Sequence, residues 1–213
     1  MKWGPFHGVL FDLDGTLIDS IAVVDRAWAA WARKVGLDPA AVLPRIHGRR
    51  SLDSVRDLAP HLDAEHEDAW LQRYEIENTE GVGLLPGALA LLSAVQGIPW
   101  GIVTSGTSNV ALARMAAAGI PVPSVCVFGE EVPNGKPEPD PFRLGCERLR
   151  LLPGQVLAFE DTAAGVQSAL AAGCWCVWNG GESHRNRRVL CVQSYQEITL
   201  LAQNEQVTLS RVV

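Results

Sequence analysis

A parallel, doubly wound α/β sheet carrying an all-helical insert is the fold class this sequence predicts. Three observations carry that expectation. Short apolar runs recur without polar alternation, as strands buried on both faces do. Helical patterns separate the later runs, the rhythm of a parallel sheet. One stretch near the N-terminus breaks the rhythm, with several helical patterns and no strand run between them.

The first run is Gly8-Val9-Leu10-Phe11. Beyond it, Asp19 or Ser20 can cap a helix whose apolar stripe is Val24, Trp28, Trp31 and Val35, with Gly36 ending it. Helical segments follow at about Leu52 to Ala59 and Glu65 to Thr79, and Gly81 and Gly83 mark a flexible return. Residues 19–83 are therefore expected to form a helical cap joined by two hinges to a sheet domain made of residues 1–18 and 84–213. Trp28, Trp31, Trp70 and Tyr74 read as the small core of that insert. Pro86-Gly87 then opens a helix over Ala88 to Val95. The remaining runs are Trp100 to Val103, Val125 to Phe128, Val156 to Phe159 and Cys174 to Val177. Between them lie helices at Ser108 to Ala118, Pro141 to Arg150 and Ala163 to Ala172, with Gly119 and Gly173 where two of these should stop.

Composition narrows the function. With 213 residues the chain can bury a full core. Its formal net charge of -6 argues against a nucleic-acid binder. No apolar run reaches transmembrane length, and Asp12 interrupts before a signal-peptide core is complete, so a cytoplasmic protein without membrane contact is expected. The five cysteines form no CxxC pair, and Cys174-Trp175-Cys176 reads as two small buried side chains in a strand. Arg185-Asn186-Arg187-Arg188 reads as a solvated face.

Polar residues gather directly after three of the apolar runs: Asp12 and Asp14, then Thr104-Ser105-Gly106, then Glu160-Asp161. In an open parallel sheet these positions share the edge where ligands bind. Asp12 and Asp14 project to one side because they are two residues apart in extended chain. Such a pair suits phosphoryl transfer, with Asp12 as nucleophile and Asp14 as general acid and base. Mg²⁺ held by Asp12, Asp161 and the Asp14 carbonyl would offset repulsion between carboxylate and phosphate. Glu160 is either a direct or water-mediated metal neighbour or a shaper of the turn. Thr104, Ser105 and Gly106 can hold phosphate oxygens, aided by the start of a nearby helix. Lys136, in a proline-rich loop, would neutralise the phosphate; its spacing alone favours a solvated surface lysine, and only the surrounding acids raise the functional reading.

These segments resemble the haloacid dehalogenase-like hydrolase superfamily, in the branch with a helical cap. DLDGTLIDS matches its nucleophile motif, IVTSG its phosphate-binding motif, GKPEPDPF its lysine motif and FEDTAAG its metal motif. The resemblance runs nearly end to end. It implies a Rossmann-like core, Mg²⁺ and hydrolysis through an aspartyl-phosphate. IHG at 46–48, LLPGALALL and GIPWGIVTSGT look most like sugar- and polyol-phosphate phosphatases. The expected partner is thus a small phosphorylated sugar or polyol, and the expected state a monomer or weak dimer. Related phosphomutases carry a cap-hinge histidine where this chain has Val24, and commonly valine where it has Thr16; both differences favour water as acceptor. A phosphoglycolate-type phosphatase is a further alternative. His47, Arg49 and Arg50, around the Gly48 turn, resemble the family's substrate-specificity loop.

Overall fold

The structure, a computed structural model, describes residues 2–212. In chain order the elements begin with β1 (Lys2–Phe6), β2 (Gly8–Phe11) and β3 (Ile18–Asp19). Helices α1 (Ile21–Lys34), α2 (Pro39–Val42), α3 (Ser51–Leu58) and α4 (Ala64–Glu77) follow before β4 (Gly83–Leu84). The chain continues through α5 (Ala88–Ala94), β5 (Trp100–Val103), α6 (Ser108–Ala118), β6 (Val125–Val127) and α7 (Asp140–Leu149). It ends with β7 (Val156–Glu160), α8 (Ala163–Ala172), β8 (Trp175–Asn179), β9 (Val189–Val192), β10 (Ile198–Gln203) and β11 (Gln206–Arg211).

Six strands form one parallel sheet in the order β6-β5-β2-β7-β8-β9. The first strand of this sheet is thus central, and the chain winds outward from it in both directions. In register, Phe11 lies beside Ile102 on one side and Phe159 on the other. The residues that follow these three strands consequently emerge side by side at a topological switch point, where open α/β sheets bind ligands. Val9, Leu10, Phe11, Leu157, Ala158 and Phe159 are fully buried, which explains why their segments show no alternation. One apolar cluster gathers Phe11, Ile102, Met115 and Phe159, and another Leu10, Val103, Phe142 and Val166. Burying each such large side chain contributes roughly 1.5–3 kcal/mol. Gly119 and Gly173 are left-handed caps closing α6 and α8.

Two features extend beyond the five apolar runs. A sixth parallel strand, β9, lies at the sheet edge, and β1, β11 and β10 form a separate antiparallel sheet. β10 and β11 bury alternate residues, Ile198, Leu200, Val207 and Leu209, so they present a one-sided pattern unlike the central runs. Arg185 to Arg188 belong to the connection between β8 and β9; residues 185–187 are exposed, and Arg188 donates to the Gly173 carbonyl at 3.1 Å.

The helices α1–α4 leave and rejoin the sheet through the short antiparallel pair β3–β4, with Ile18 opposite Leu84. Trp28, Trp31, Val55 and Leu71 form a core of their own. Trp31 and Trp28 pack edge to face, and the Trp31 indole donates to Glu67 at 3.0 Å. Trp70 and Tyr74 stack at the half-buried rim of this core. Among the described residues, no helix is long and apolar enough to cross a membrane.

Candidate active site

The end of β2 sets the site. Phe11 is held between two strands, and the Asp12 amide donates to the Phe159 carbonyl at 2.9 Å, which carries sheet geometry one residue past the strand. Leu13 then turns into the core, and the chain tightens through Gly15, whose φ of +81° suits glycine alone. Tyr195 braces this turn from the far end of the chain, its hydroxyl donating to the Thr16 carbonyl at 2.9 Å.

Asp12, Glu160 and Asp161 each offer a carboxylate oxygen, and these atoms lie within 4.8 Å of one another. Lys136 reaches the same place from the loop before α7. Its Nζ donates to Asp12 Oδ1 at 2.6 Å, to Glu160 Oε1 and to the Val103 carbonyl at 3.0 Å. The side chain is only 1% exposed, so the solvated-lysine alternative does not hold. Burial would lower the Lys136 ammonium, but the Asp12 and Glu160 carboxylates outweigh it and hold the group above its ordinary value.

Glu160 is fully buried with both oxygens engaged. While Oε1 holds Lys136, Oε2 accepts from the Asp161 and Thr162 amides at 3.2 and 3.4 Å and from the Thr162 hydroxyl at 3.2 Å. It thereby shapes the β7–α8 turn and points Lys136 at Asp12. Gly165 leaves the room for it, because a Cβ there would stand 1.9 Å from the Glu160 carboxyl carbon.

The donor set fits a hard divalent cation. It is made of oxygens alone, which suits Mg²⁺ better than zinc. Burial raises the Asp12 carboxyl to about 7 against the pull of Lys136, with Glu160 and Asp14 adding repulsion. Asp161 is raised to about 9 by burial and by the charges of Asp12 and Glu160. A cluster in that state is short of positive charge. Gly15 also guards it, since a Cβ would meet Asp161 Oδ2 at 2.0 Å. Gly15→Ala is therefore expected to displace Asp161 and weaken Mg²⁺ binding by about 10- to 100-fold, the usual range for disturbed ligand support. Calorimetric titration with Mg²⁺ checks this, and an unchanged affinity contradicts it.

Asp14 stands at the mouth of the cleft, where its Oδ1 accepts from the Ser20 hydroxyl at 2.6 Å and is ion-paired with Arg114 Nη1 at 2.9 Å. Ser20 does occupy the cap position of α1, but its hydroxyl serves Asp14 and makes no cap hydrogen bond. Thr104 is buried at the end of β5, and its Oγ1 accepts from the Gly106 amide at 3.1 Å. The Ser105 hydroxyl instead crosses to the Gly48 carbonyl at 3.0 Å. At the start of α6 the Ser108 amide is occupied by Glu130 at 2.8 Å.

The three loop residues diverge. His47 and Arg49 line the cleft, with His47 paired to Asp25 at 3.0 Å and Arg49 to Asp57 at 2.5 Å. Arg50 does not line it, contrary to the sequence expectation. Asp53 takes its guanidinium in two bonds, at 2.6 and 3.1 Å, and orients it onto the carbonyls of Gly129, Val132 and Pro133 at 3.4, 2.9 and 3.3 Å. The side chain is thus engaged in fastening the helical segment to the sheet.

Sequence reasoning missed Arg114 and Glu75, both buried, and both in the cleft wall. Their positions gave a signal. Arg114 falls four residues after buried Val110, on the otherwise apolar face of α6, and Glu75 four after buried Leu71, on a face of α4 that also buries Glu67 and Asp68.

The chain is similar to known proteins. Residues 6–173 match haloacid dehalogenase-like hydrolases. The chain is 45% identical over 204 residues to hexitol phosphatase A of Escherichia coli K12, covering 92% of this chain and 94% of that protein. It is 31% identical over 183 residues to glycerol-1-phosphate phosphohydrolase 2 of Saccharomyces cerevisiae, covering 79% of this chain and 72% of that one. In three dimensions it is similar to CbbY from Rhodobacter sphaeroides, with a TM-score of 0.81 at 22% identity over 90% of this chain and 96% of the other.

Proposed function

Because the chain belongs to the haloacid dehalogenase-like hydrolases, we propose that it is a Mg²⁺-dependent phosphatase that hydrolyses small sugar or polyol phosphates through an aspartyl-phosphate. The observation that carries the reading is the meeting of Asp12, Glu160 and Asp161 around buried Lys136 at the switch point of the sheet. The similarity to hexitol phosphatase A supports the substrate class.

Asp12, Asp161 and the Asp14 carbonyl would hold Mg²⁺, which when bound supplies positive charge against the phosphate. Asp12 attacks phosphorus with its free carboxylate electrons, forming the O–P bond as the bond to the leaving oxygen breaks. Asp14 gives that oxygen a proton; Ser20 and Arg114 share its Oδ1, so Oδ2 is the oxygen that carries the proton. Asp14 then takes a proton from water, whose oxygen attacks phosphorus and frees Asp12 and inorganic phosphate. Lys136 holds Asp12 in place and offsets charge on the phosphoryl group. The buried Thr104 and the Ser105–Gly106 turn would receive phosphate oxygens. Val24 lines the cleft, and an apolar side chain there relays no proton to a second sugar hydroxyl, which favours hydrolysis over isomerisation. Residues 19–83 act as a lid over this chemistry, excluding bulk water from the acyl-phosphate.

A phosphate-release screen with hexitol phosphates, hexose phosphates and glycerol phosphate tests the proposal. Turnover is expected in Mg²⁺, loss in EDTA and recovery on adding Mg²⁺ back. Absence of phosphate release from every ester contradicts phosphatase activity. Conversion of a hexose 1-phosphate into its isomer with little free phosphate shows a mutase instead.

A further inference from the structure

The cleft has a wall that the acid cluster does not use. Arg114 reaches into it from α6 and is 4% exposed. Its Nη1 lies 2.9 Å from Asp14 Oδ1 and its Nη2 lies 3.0 Å from Glu75 Oε1 on α4. Yet among the described residues neither Nε nor Nη2 has a hydrogen-bond partner. The Glu75 oxygen is near enough to pair charge with Nη2 but lies off the direction of its N–H bonds. Buried donors left unfilled are costly, and Arg114 also lines the cleft, where a bound group can supply an acceptor. Gln72, one turn before Glu75, lies in the same wall, where it accepts from the Thr107 hydroxyl at 3.1 Å. Trp28 and Val110 complete it with apolar surface.

Resting on the phosphatase reading, we infer that Arg114 and Glu75 form the subsite for the part of the substrate beyond the phosphate, and that this subsite takes an uncharged polyhydroxyl chain in preference to one bearing a second anion. A hydroxyl both accepts and donates, so one group can receive an Arg114 N–H and give its own proton to the Glu75 carboxylate. A carboxylate or second phosphate satisfies the arginine but meets Glu75 as a like charge. Arg114 does not welcome such an anion on its own account, because Asp14 and Glu75 already flank it with two carboxylates. The contact with Asp14, the residue assigned to the leaving oxygen, places this wall next to the carbon chain that departs with it.

The test compares kcat/KM for sorbitol 6-phosphate and 2-phosphoglycolate in wild type, Glu75→Gln and Arg114→Lys. Glu75→Gln keeps size while removing the charge, and Arg114→Lys keeps the charge while losing the forked donors. Both variants are expected to lower the preference for the polyol phosphate at least tenfold, mainly through KM, with Glu75→Gln lowering KM for phosphoglycolate. A preference unchanged in both variants, with turnover retained, overturns this inference and leaves the phosphatase reading standing. Wild-type protein that releases phosphate from neither ester nor from p-nitrophenyl phosphate overturns both. Should Glu75→Gln fail to fold, Arg114→Lys decides alone by the same ratio.

Discussion

Replacing Lys136 by methionine is expected to abolish measurable turnover and to lower the melting temperature by about 6–20 °C. The side chain is 1% exposed and bridges Asp12 and Glu160, the latter wholly buried. Removing one partner from a buried ion pair leaves the other charge uncompensated, at about 3–5 kcal/mol. For a chain of this size each kcal/mol moves the midpoint by about 2–4 °C. Adding Glu160→Gln to Lys136→Met removes the stranded charge as well, so the double variant should regain part of the lost stability and none of the activity. Thermal unfolding together with phosphate release checks both statements. A Lys136→Met protein that melts like wild type shows that these acids find their counter-charge elsewhere.

Asp12→Asn should separate chemistry from folding. Loss of the attacking carboxylate is expected to lower kcat by at least about 10⁴-fold, in the range seen when a covalent nucleophile is removed. Stability should change little, because the amide has the same shape and Lys136 keeps Glu160 and the Val103 carbonyl. The dependence on pH should change more. Burial raises the Asp12 carboxyl from 3.8 to about 7, so the folded metal-free protein holds this proton more tightly than the unfolded chain does. That contribution to stability is complete below the ordinary carboxylate range and is lost as pH rises through about 7. In EDTA, Asp12→Asn should accordingly lose less stability than wild type between about pH 4 and pH 7. Melting curves across that range measure it. Retained turnover in the variant would remove Asp12 from bond formation.

The fold was legible where burial is complete. Strands such as Val156–Glu160 are apolar on both faces and announce themselves by composition. β10 and β11 are half-exposed and pair with each other as a hairpin, whereas β1 contains Gly4 and Pro5 and pairs with β11 some two hundred residues away, which local pattern does not carry. At the site, the acids were legible because strand ends in a parallel sheet converge by topology. Which residues of the 47–50 loop face the cleft was not legible, since that depends on where Asp53 aims Arg50. Arg114 and Glu75 were hidden for a related reason. Each lies on its own helix, and only the packing of α4 against α6 makes them partners.

The attachment made by Arg50 is lopsided in what it asks of the chain. On the helical side it needs two particular residues, Arg50 and Asp53. On the sheet side it uses main-chain carbonyls, and its room comes from bare backbone: a Cβ at Gly135 would stand 2.9 Å from Arg50 Nε, and one at Gly129 would stand 3.3 Å from its Cγ. Mutational drift through the 129–135 loop can therefore exchange Glu130 or Asn134 without touching the fastening. A single methyl group at Gly135 would jam it.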